Sequence, residues 1–312
     1  MNSIFNSEMN AKACSYFCKV VKEVCPDYVA GIFYGYIVGQ PNCSHAGHLA
    51  IDKILEDKYI DFVSAPKGYY KYGPFGPGLE QAPCNSMSRK KLWLDETDNL
   101  THLHPYTNVP DKAANFEETK TVLVREFSKN LAFDQGYWWM DLGEGCFDSP
   151  EIMALIKKLN EISSEIKKKP TVNITEVLLV IDDESMHYTT PSFAYHDSFI
   201  RDFASNIKMC GAAVTLIRKR DLFEIPLDNF KIVFFLNAFK SSDNFEKLVH
   251  QGFKEGTVFL WNYAAGFVNE SADAKNTKSL TGFEIRDYSG KMPQIIRKRL
   301  IFLEFILRTQ ET

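Results

Sequence analysis

The sequence predicts an α/β protein with two parallel-sheet units in tandem. Three observations carry this expectation. Strand-like and helix-like segments alternate from the start of the chain, a charged helix is cut off by Pro170, and the alternation then resumes. The segment Ile156 to Lys169 ends in three lysines, and the proline that follows cannot continue a helix. The boundary therefore falls at 169/170, giving units 1–169 and 170–285 and a C-terminal helical tail over 286–312.

In the first unit, Ala11 to Val24 spaces Ala13, Phe17, Val20, Val21 and Val24 as one side of a helix. Val29 to Val38 is a continuous apolar and aromatic run, the pattern of a strand buried on both faces. His48 to Glu56 reads as a short helix and Ile60 to Ser64 as a strand. A glycine- and proline-rich loop follows over Gly68 to Pro83. Leu92 to Leu94 is the next strand, running into Asp95, Glu96, Thr97 and Asp98. Phe116 to Leu131 is a long helix, Gly136 to Leu142 a fourth strand, and a helix begins at Pro150, where proline suits a first turn. In the second unit, Glu176 to Ile181, Ala213 to Ile217, Ile232 to Leu236 and Thr257 to Trp261 read as strands. Phe193 to Met209 and Asn244 to Phe253 read as helices. That order fits a flavodoxin-like, doubly wound domain.

Composition narrows the function. Lys and Arg number 36 against 40 Asp and Glu, a net charge of -4, so no basic field recruits nucleic acid or an anionic membrane. The first twenty residues are polar and lack a signal-peptide core, and no run nears the ~20 apolar residues of a spanning helix. A soluble cytoplasmic protein is expected. Seven scattered cysteines do not read as a disulfide framework. No nucleotide-cradling glycine motif occurs, and neither His45/His48 nor His102/His104 has zinc-site spacing, so no cofactor and no metal are expected.

The most informative cluster is Trp93 to Asp98, with His102 and His104 downstream. Three carboxylates at the end of a buried strand repel one another and lose hydration. Asp95 and Asp98 either cap the next segment or serve a site. Strand-end carboxylates beside tryptophan suit carbohydrate, because an indole stacks on sugar C–H groups while carboxylates handle charge at the anomeric carbon. Trp138 to Asp141 makes a second such strand end, with Gly143 and Glu144 following. Trp138 and Trp139 point to opposite faces, one packing under helices and the other lining the strand ends. Trp139 and Asp141 are assigned to the site, although for Asp141 a helix- or loop-capping role ranks slightly ahead. Tyr34 and Tyr36 share one face of the first strand, and Tyr69, Tyr70 and Tyr72 follow the second; all suit hydrogen bonds to a carboxylate or sugar hydroxyl, and all suit a core equally. Asp182, Asp183 and Glu184 read as a solvated loop.

The residues also form an ordered set of motifs. These are Gly31 to Tyr36, Gly47 to Ala50, Ile60 to Phe62 with Ala65-Pro66, Leu92 to Glu96 with Thr101-His102, Arg125 to Phe127, and Trp138 to Asp141. Val180 to Ser185, Phe235 to Phe239 and Ser279 to Phe283 continue the series. Together they resemble β-galactosidase-like proteins of glycoside hydrolase family 42. The resemblance implies the C-terminal half of a (β/α)8 barrel, about four βα units, followed by a flavodoxin-like domain that packs subunits into a trimer. It makes Glu96, at the end of barrel strand seven, the nucleophile. Trp93, Tyr34, Tyr36, Trp139, Asp141 and His102 are the sugar-binding candidates. A complete barrel needs about 250 residues and only about 165 precede the break, so strands one to four, and the acid/base glutamate with them, are expected to be missing from this chain. Leu100 stands where the family pattern has an arginine. The expected function is a non-catalytic or partner-dependent, carbohydrate-related protein. The alternative is an active retaining glycosidase using Glu96, with the acid/base from another chain or segment. The sheet edges left by half a barrel imply a homo-oligomer, a dimer or trimer.

Overall fold

The computed structural model describes residues 2–69, 73–106, 109–141, 143–190 and 193–284. The first unit opens with helix α1 (Asn2–Val24), followed by β1 (Gly31–Phe33), the short helices α2 (Cys43–Ala46) and α3 (Ile51–Leu55), and β2 (Phe62–Pro66). It continues through α4 (Cys84–Met87), β3 (Leu92–Thr97), α5 (Phe116–Ala132), β4 (Gly136–Trp139) and α6 (Pro150–Ile166). Its four strands form one parallel sheet in chain order, β1-β2-β3-β4. The second unit contains β5 (Val177–Ile181), α7 (Phe193–His196), α8 (Asp202–Lys208), β6 (Val214–Arg218) and β7 (Ile232–Phe235). It ends with α9 (Asp243–Gln251), β8 (Val258–Trp261) and α10 (Asn276–Thr281). Its sheet is also parallel, in the order β6-β5-β7-β8. Among the described residues no helix is long and apolar enough to cross a membrane. The expected tail over 286–312 lies outside the described residues.

Two segments differ from expectation for identifiable reasons. The run Val29 to Val38 forms only three residues of strand, because the chain turns at Gly35, whose φ of 87° is open to glycine. Tyr34, Ile37 and Val38 are still fully buried, but as loop residues. The helix expected over Phe193 to Met209 is divided by a π-helical turn at Asp197–Arg201 between α7 and α8. The side chain of Asn262 donates to the carbonyl of Phe199 within that turn, at 3.1 Å.

The register sorts the first sheet into two faces. Paired residues on parallel neighbours point the same way and successive residues alternate. Gly31, Phe33, Phe62, Ser64, Leu92, Leu94, Glu96, Gly136 and Trp138 thus share one face, and Ile32, Val63, Ala65, Trp93, Asp95, Thr97, Tyr137 and Trp139 the other. The second face packs under helices. Tyr137 meets Phe127 of α5 at 6.3 Å between ring centroids, and Trp93 joins a core that runs from α1 into β5 and α8. The first face is more open, with Phe33 and Leu92 exposed. At Gly136 the Leu94 side chain packs close, so that a Cβ would meet its methyl at 2.5 Å and force it to shift.

A buried ion cluster fixes the helix face. Lys67, just beyond β2, pairs with Asp95 and, at 2.9 Å, with Glu126 of α5; all three side chains are essentially without solvent contact. Asp95 also accepts from Asn130 at 3.0 Å, and Glu126 from Arg125 at 2.6 Å. Lys129 links Glu126 to Glu80, and Lys208 of α8 reaches Glu80 at 2.5 Å, carrying the cluster into the second unit. Burial opposes ionisation of Glu126, but Lys129, Lys67 and Arg125 outweigh it and push its carboxyl down to about 2. Glu80 is likewise held well below the ordinary range by Lys129, Lys208 and Lys67, against the cost of burial.

A second joint is built on Arg218, which is 0% exposed. It binds Asp221 at 2.9 Å, Asp183 at 3.4 Å and, across the units, Asp52 of α3 at 3.0 Å. Lys219 pairs with Asp182 at 2.6 Å. Asp182 and Asp183 are therefore buried structural anions, and the solvated loop expected there holds only for Glu184, which stays exposed. The physical reason is the Arg218-Lys219 pair at the end of the neighbouring strand, which compensates their charge.

Removing one partner of a buried pair leaves an uncompensated charge, at a cost of about 3–5 kcal/mol. Lys67→Met is therefore expected to lower stability by that order in urea denaturation, and adding Asp95→Asn should recover part of the loss. Glu126 has its folded pKa depressed, so the stability it confers is complete above its unfolded value near 4.5 and is lost as pH falls towards 2. Urea midpoints measured from pH 7 to pH 2.5 should fall below about pH 4.5, and Glu126→Gln should flatten that decline.

Candidate functional site

Alternation along β3 resolves the acidic strand end. Asp95 points to the helix face and is used up by Lys67 and Asn130. Glu96 points to the open face, partly buried, and makes no hydrogen bond or ion pair among the described residues. Burial, and then the charge of Asp95, raise its carboxyl above the ordinary range. Asp98, past the strand, is buried and accepts a 2.6 Å hydrogen bond from the Tyr69 hydroxyl. Burial lifts Asp98 to about 6, with the charges of Glu96 and Asp95 adding to the rise and the Tyr69 hydrogen bond opposing it. The strand end thus presents a solitary carboxyl beside a second one that titrates near neutrality.

Tyr36 completes this group from the loop after β1. Its ring stacks on His48 at 4.7 Å with 12° between planes, and His48 Nδ1 accepts from the Gly35 amide at 3.1 Å. Burial pushes the Tyr36 phenol up, and the charges of Glu96 and Asp98 push it further. Trp138, paired in register with Glu96 on the adjacent strand, lies on the same face and meets Phe33 edge-on at 6.1 Å. Glu96, Asp98, Tyr36, Tyr69 and Trp138 are therefore the residues gathered around the open strand ends.

Five of the expected sugar contacts sit elsewhere. Trp93 is 2% exposed in the core on the helix face, where no ligand reaches its indole. Tyr34 is buried as a clamp; its hydroxyl donates to the Gly47 carbonyl at 2.6 Å and accepts from the Ala50 amide at 3.2 Å. Trp139 faces the helix side, against Tyr137 at 5.2 Å and Phe147 at 6.3 Å, so the parity assigned to the tryptophan pair is reversed and Trp138 takes the open face. Asp141 accepts from the amides of Gly143, Gly145 and Cys146 at 2.9–3.3 Å and organises its own loop. Those donors overcome its desolvation and hold it below the ordinary carboxylate range.

His102 is tied to α5, where both its amide and its ring Nδ1 lie 2.9 Å from the Thr119 hydroxyl. Tyr70 and Tyr72 lie outside the described residues. Among the described residues no group of three or more His, Cys, Asp and Glu gathers as a metal site. Sequence reasoning overlooked Lys67 as the partner of the strand-end acids. The signal was a lysine placed directly after a buried strand, next to the strand that carries those acids.

The arrangement combines an apolar aromatic surface with a hydrogen-bond acceptor. An aromatic face at Trp138 and Phe33 suits C–H groups, and the Glu96 carboxyl accepts from hydroxyls. No family model matches the chain, and no curated protein matches it. Solved structures do. A β-galactosidase from Rahnella sp. R3 aligns over 86% of this chain and 41% of its own, with a TM-score of 0.53 and 14% identity. A β-galactosidase from Bacillus circulans sp. alkalophilus aligns over 85% and 40%, with a TM-score of 0.49 and 13% identity. A β-galactosidase from the psychrophilic Marinomonas ef1 aligns over 75% and 45%, with a TM-score of 0.42 and 10% identity. The chain spans about two fifths of the length of the first two. What is shared with the Rahnella enzyme is the fold.

Proposed function

We propose that this chain is a carbohydrate-binding, β-galactosidase-like protein related to glycoside hydrolase family 42. Its first unit would be half of a (β/α)8 barrel and its second a flavodoxin-like domain, and bond cleavage would depend on a partner. The observation that carries this reading is Glu96, the one carboxyl of Asp95, Glu96 and Asp98 that no described side chain engages, on the face it shares with Trp138. The parallel order β1-β2-β3-β4 and the fold likeness to the Rahnella enzyme support the barrel interpretation. Retaining hydrolysis needs two carboxyl groups about 5 Å apart, one attacking and one protonating the leaving group. Glu96 fills the first role, and a partner chain or segment supplies the second.

One observation favours a second reading, an active retaining glycosidase within this chain. Burial, with the charge of Glu96 adding to it, raises Asp98 to about 6, so the strand end carries two interacting carboxyl groups, as a retaining site requires. Incubation with nitrophenyl β-galactoside separates the two. Partner dependence predicts no turnover by the chain alone. Hydrolysis abolished by Glu96→Gln would establish the second reading and refute the first. Binding is checked by titrating galactose or lactose against tryptophan fluorescence. Trp138→Ala should weaken it by roughly tenfold, on the scale of one lost aromatic stacking contact, whereas Trp139→Ala should leave the affinity unchanged. If neither substitution alters binding, the open face is not the sugar site.

The Asp98 titration gives a further check. Its folded pKa is raised, so the protonated form is favoured in the folded chain, and the associated stability is lost as pH rises from about 4 through 6. Tyr69→Phe removes the hydrogen bond that assists ionisation, and carboxyl NMR should show Asp98 moving upward from about 6.

A further inference from the structure

Helix α1 packs through Ser7, Ala11, Cys14 and Cys18 and turns an apolar stripe outward on the opposite side. The stripe is Phe5, Met9, Ala13, Tyr16, Val20 and Val24, with Phe17 and Val21 beside it. Phe5 is 67% exposed, Tyr16 62% and Val24 73%. A soluble helix normally reserves this side for polar residues. The stripe continues past the helix into exposed Tyr28 and Val29, next to the open edge at β1.

We infer that this stripe is an interface between two copies of the chain, formed by antiparallel pairing of α1 with α1 about a twofold axis between Cys14 and Ser15. The spacing of the stripe carries the inference. The steps from Phe5 to Val24 are four, four, three, four and four residues, a series that reads the same in both directions. Reversing a second helix therefore sets Phe5 against Val24, Met9 against Val20 and small Ala13 against large Tyr16, each contact made twice. This is the self-complementarity that a twofold interface requires. Flanking charges follow nearly the same symmetry, centred one residue further along, with Glu8, Lys12, Lys19 and Glu23 as negative, positive, positive and negative. These four cancel in charge, and Glu8 and Lys19 are already paired within the chain, with Lys53 at 2.8 Å and Glu23 at 3.5 Å, so no like charge is brought unpaired into the interface. Phe5, Met9, Tyr16, Phe17, Val21 and Val24, the exposed large side chains of the stripe and its margin, losing roughly 100 Å² each in both copies would bury roughly 1,200 Å², the lower end of stable specific interfaces. The surface is independent of the sugar site and stands or falls separately from it.

Analytical ultracentrifugation of the full chain at micromolar concentration should show a monomer–dimer equilibrium. Phe5→Glu and Val24→Lys alter strongly exposed positions, so circular dichroism should show both variants folded. Each alone should weaken self-association by more than roughly tenfold. An equimolar mixture of the two should restore dimers, because the antiparallel register sets the introduced carboxylate against the introduced ammonium. A monomer at all concentrations tested, or single variants that dimerise as well as the parent chain, would overturn the assignment. Failure of the mixture to associate would overturn the antiparallel register.

Discussion

The ammonium of Lys67 is the constraint on which the site depends. It lies between Asp95 on β3 and Glu126 on α5 with essentially no solvent contact, so its charge is balanced by those two carboxylates, with Glu80 adding to them. Burying an ion without its partner costs several kcal/mol, which commits Asp95 to the helix face. Strand alternation then leaves Glu96 no choice but the open face. A slip of one residue would place an unpaired Glu96 among the helices and leave Lys67 and Asn130 without Asp95. One buried cation thereby determines which strand-end carboxylate can meet a ligand.

The same electrostatics join the units. Lys208 brings α8 to Glu80, and Arg218 brings the end of β6 to Asp52 of α3. Buried His196, at the start of the π-helical turn, places its Nε2 3.2 Å from the Ile37 carbonyl, and Ile37 follows directly on Tyr36. The loop that carries Tyr36 is consequently held from two directions, by the Tyr34 clamp beneath it and by the second unit above. The second unit thus contributes to the geometry of the candidate site without placing a described side chain beside Glu96.

The alternation of elements and the end of α6 ahead of Pro170 were legible because apolar periodicity and proline report on local backbone. Side-chain direction was less so. Val29 to Val38 is apolar throughout, and a buried loop has the same composition as a buried strand; only the Gly35 turn separates them. The two tryptophans of β4 had to face opposite ways, but which faced the helices depended on a register that no local pattern records. Asp182 and Asp183 read as solvated because their partners, Arg218 and Lys219, lie more than thirty residues away along the chain. Glu96 stood out in the sequence by its strand-end position, while Trp93 and Tyr34 were drawn in by residue type and proved to be core.

Electrostatics also restrict what can cover the open face. Glu96 is already raised by burial, and a purely apolar cover would desolvate it further and favour its protonated form. That would remove its charge and leave a buried polar group without a partner. A cover compatible with an ionised Glu96 must offer hydroxyl or cationic donors while remaining apolar enough to lie on Trp138 and Phe33. A sugar ring has both properties, with C–H groups on one face and hydroxyl donors at its rim. A neighbouring protein segment meets the same requirement only by bringing a donor to Glu96. This distinguishes the open face from the stripe on α1, which has no carboxyl at its centre and is suited to a dry contact between helices.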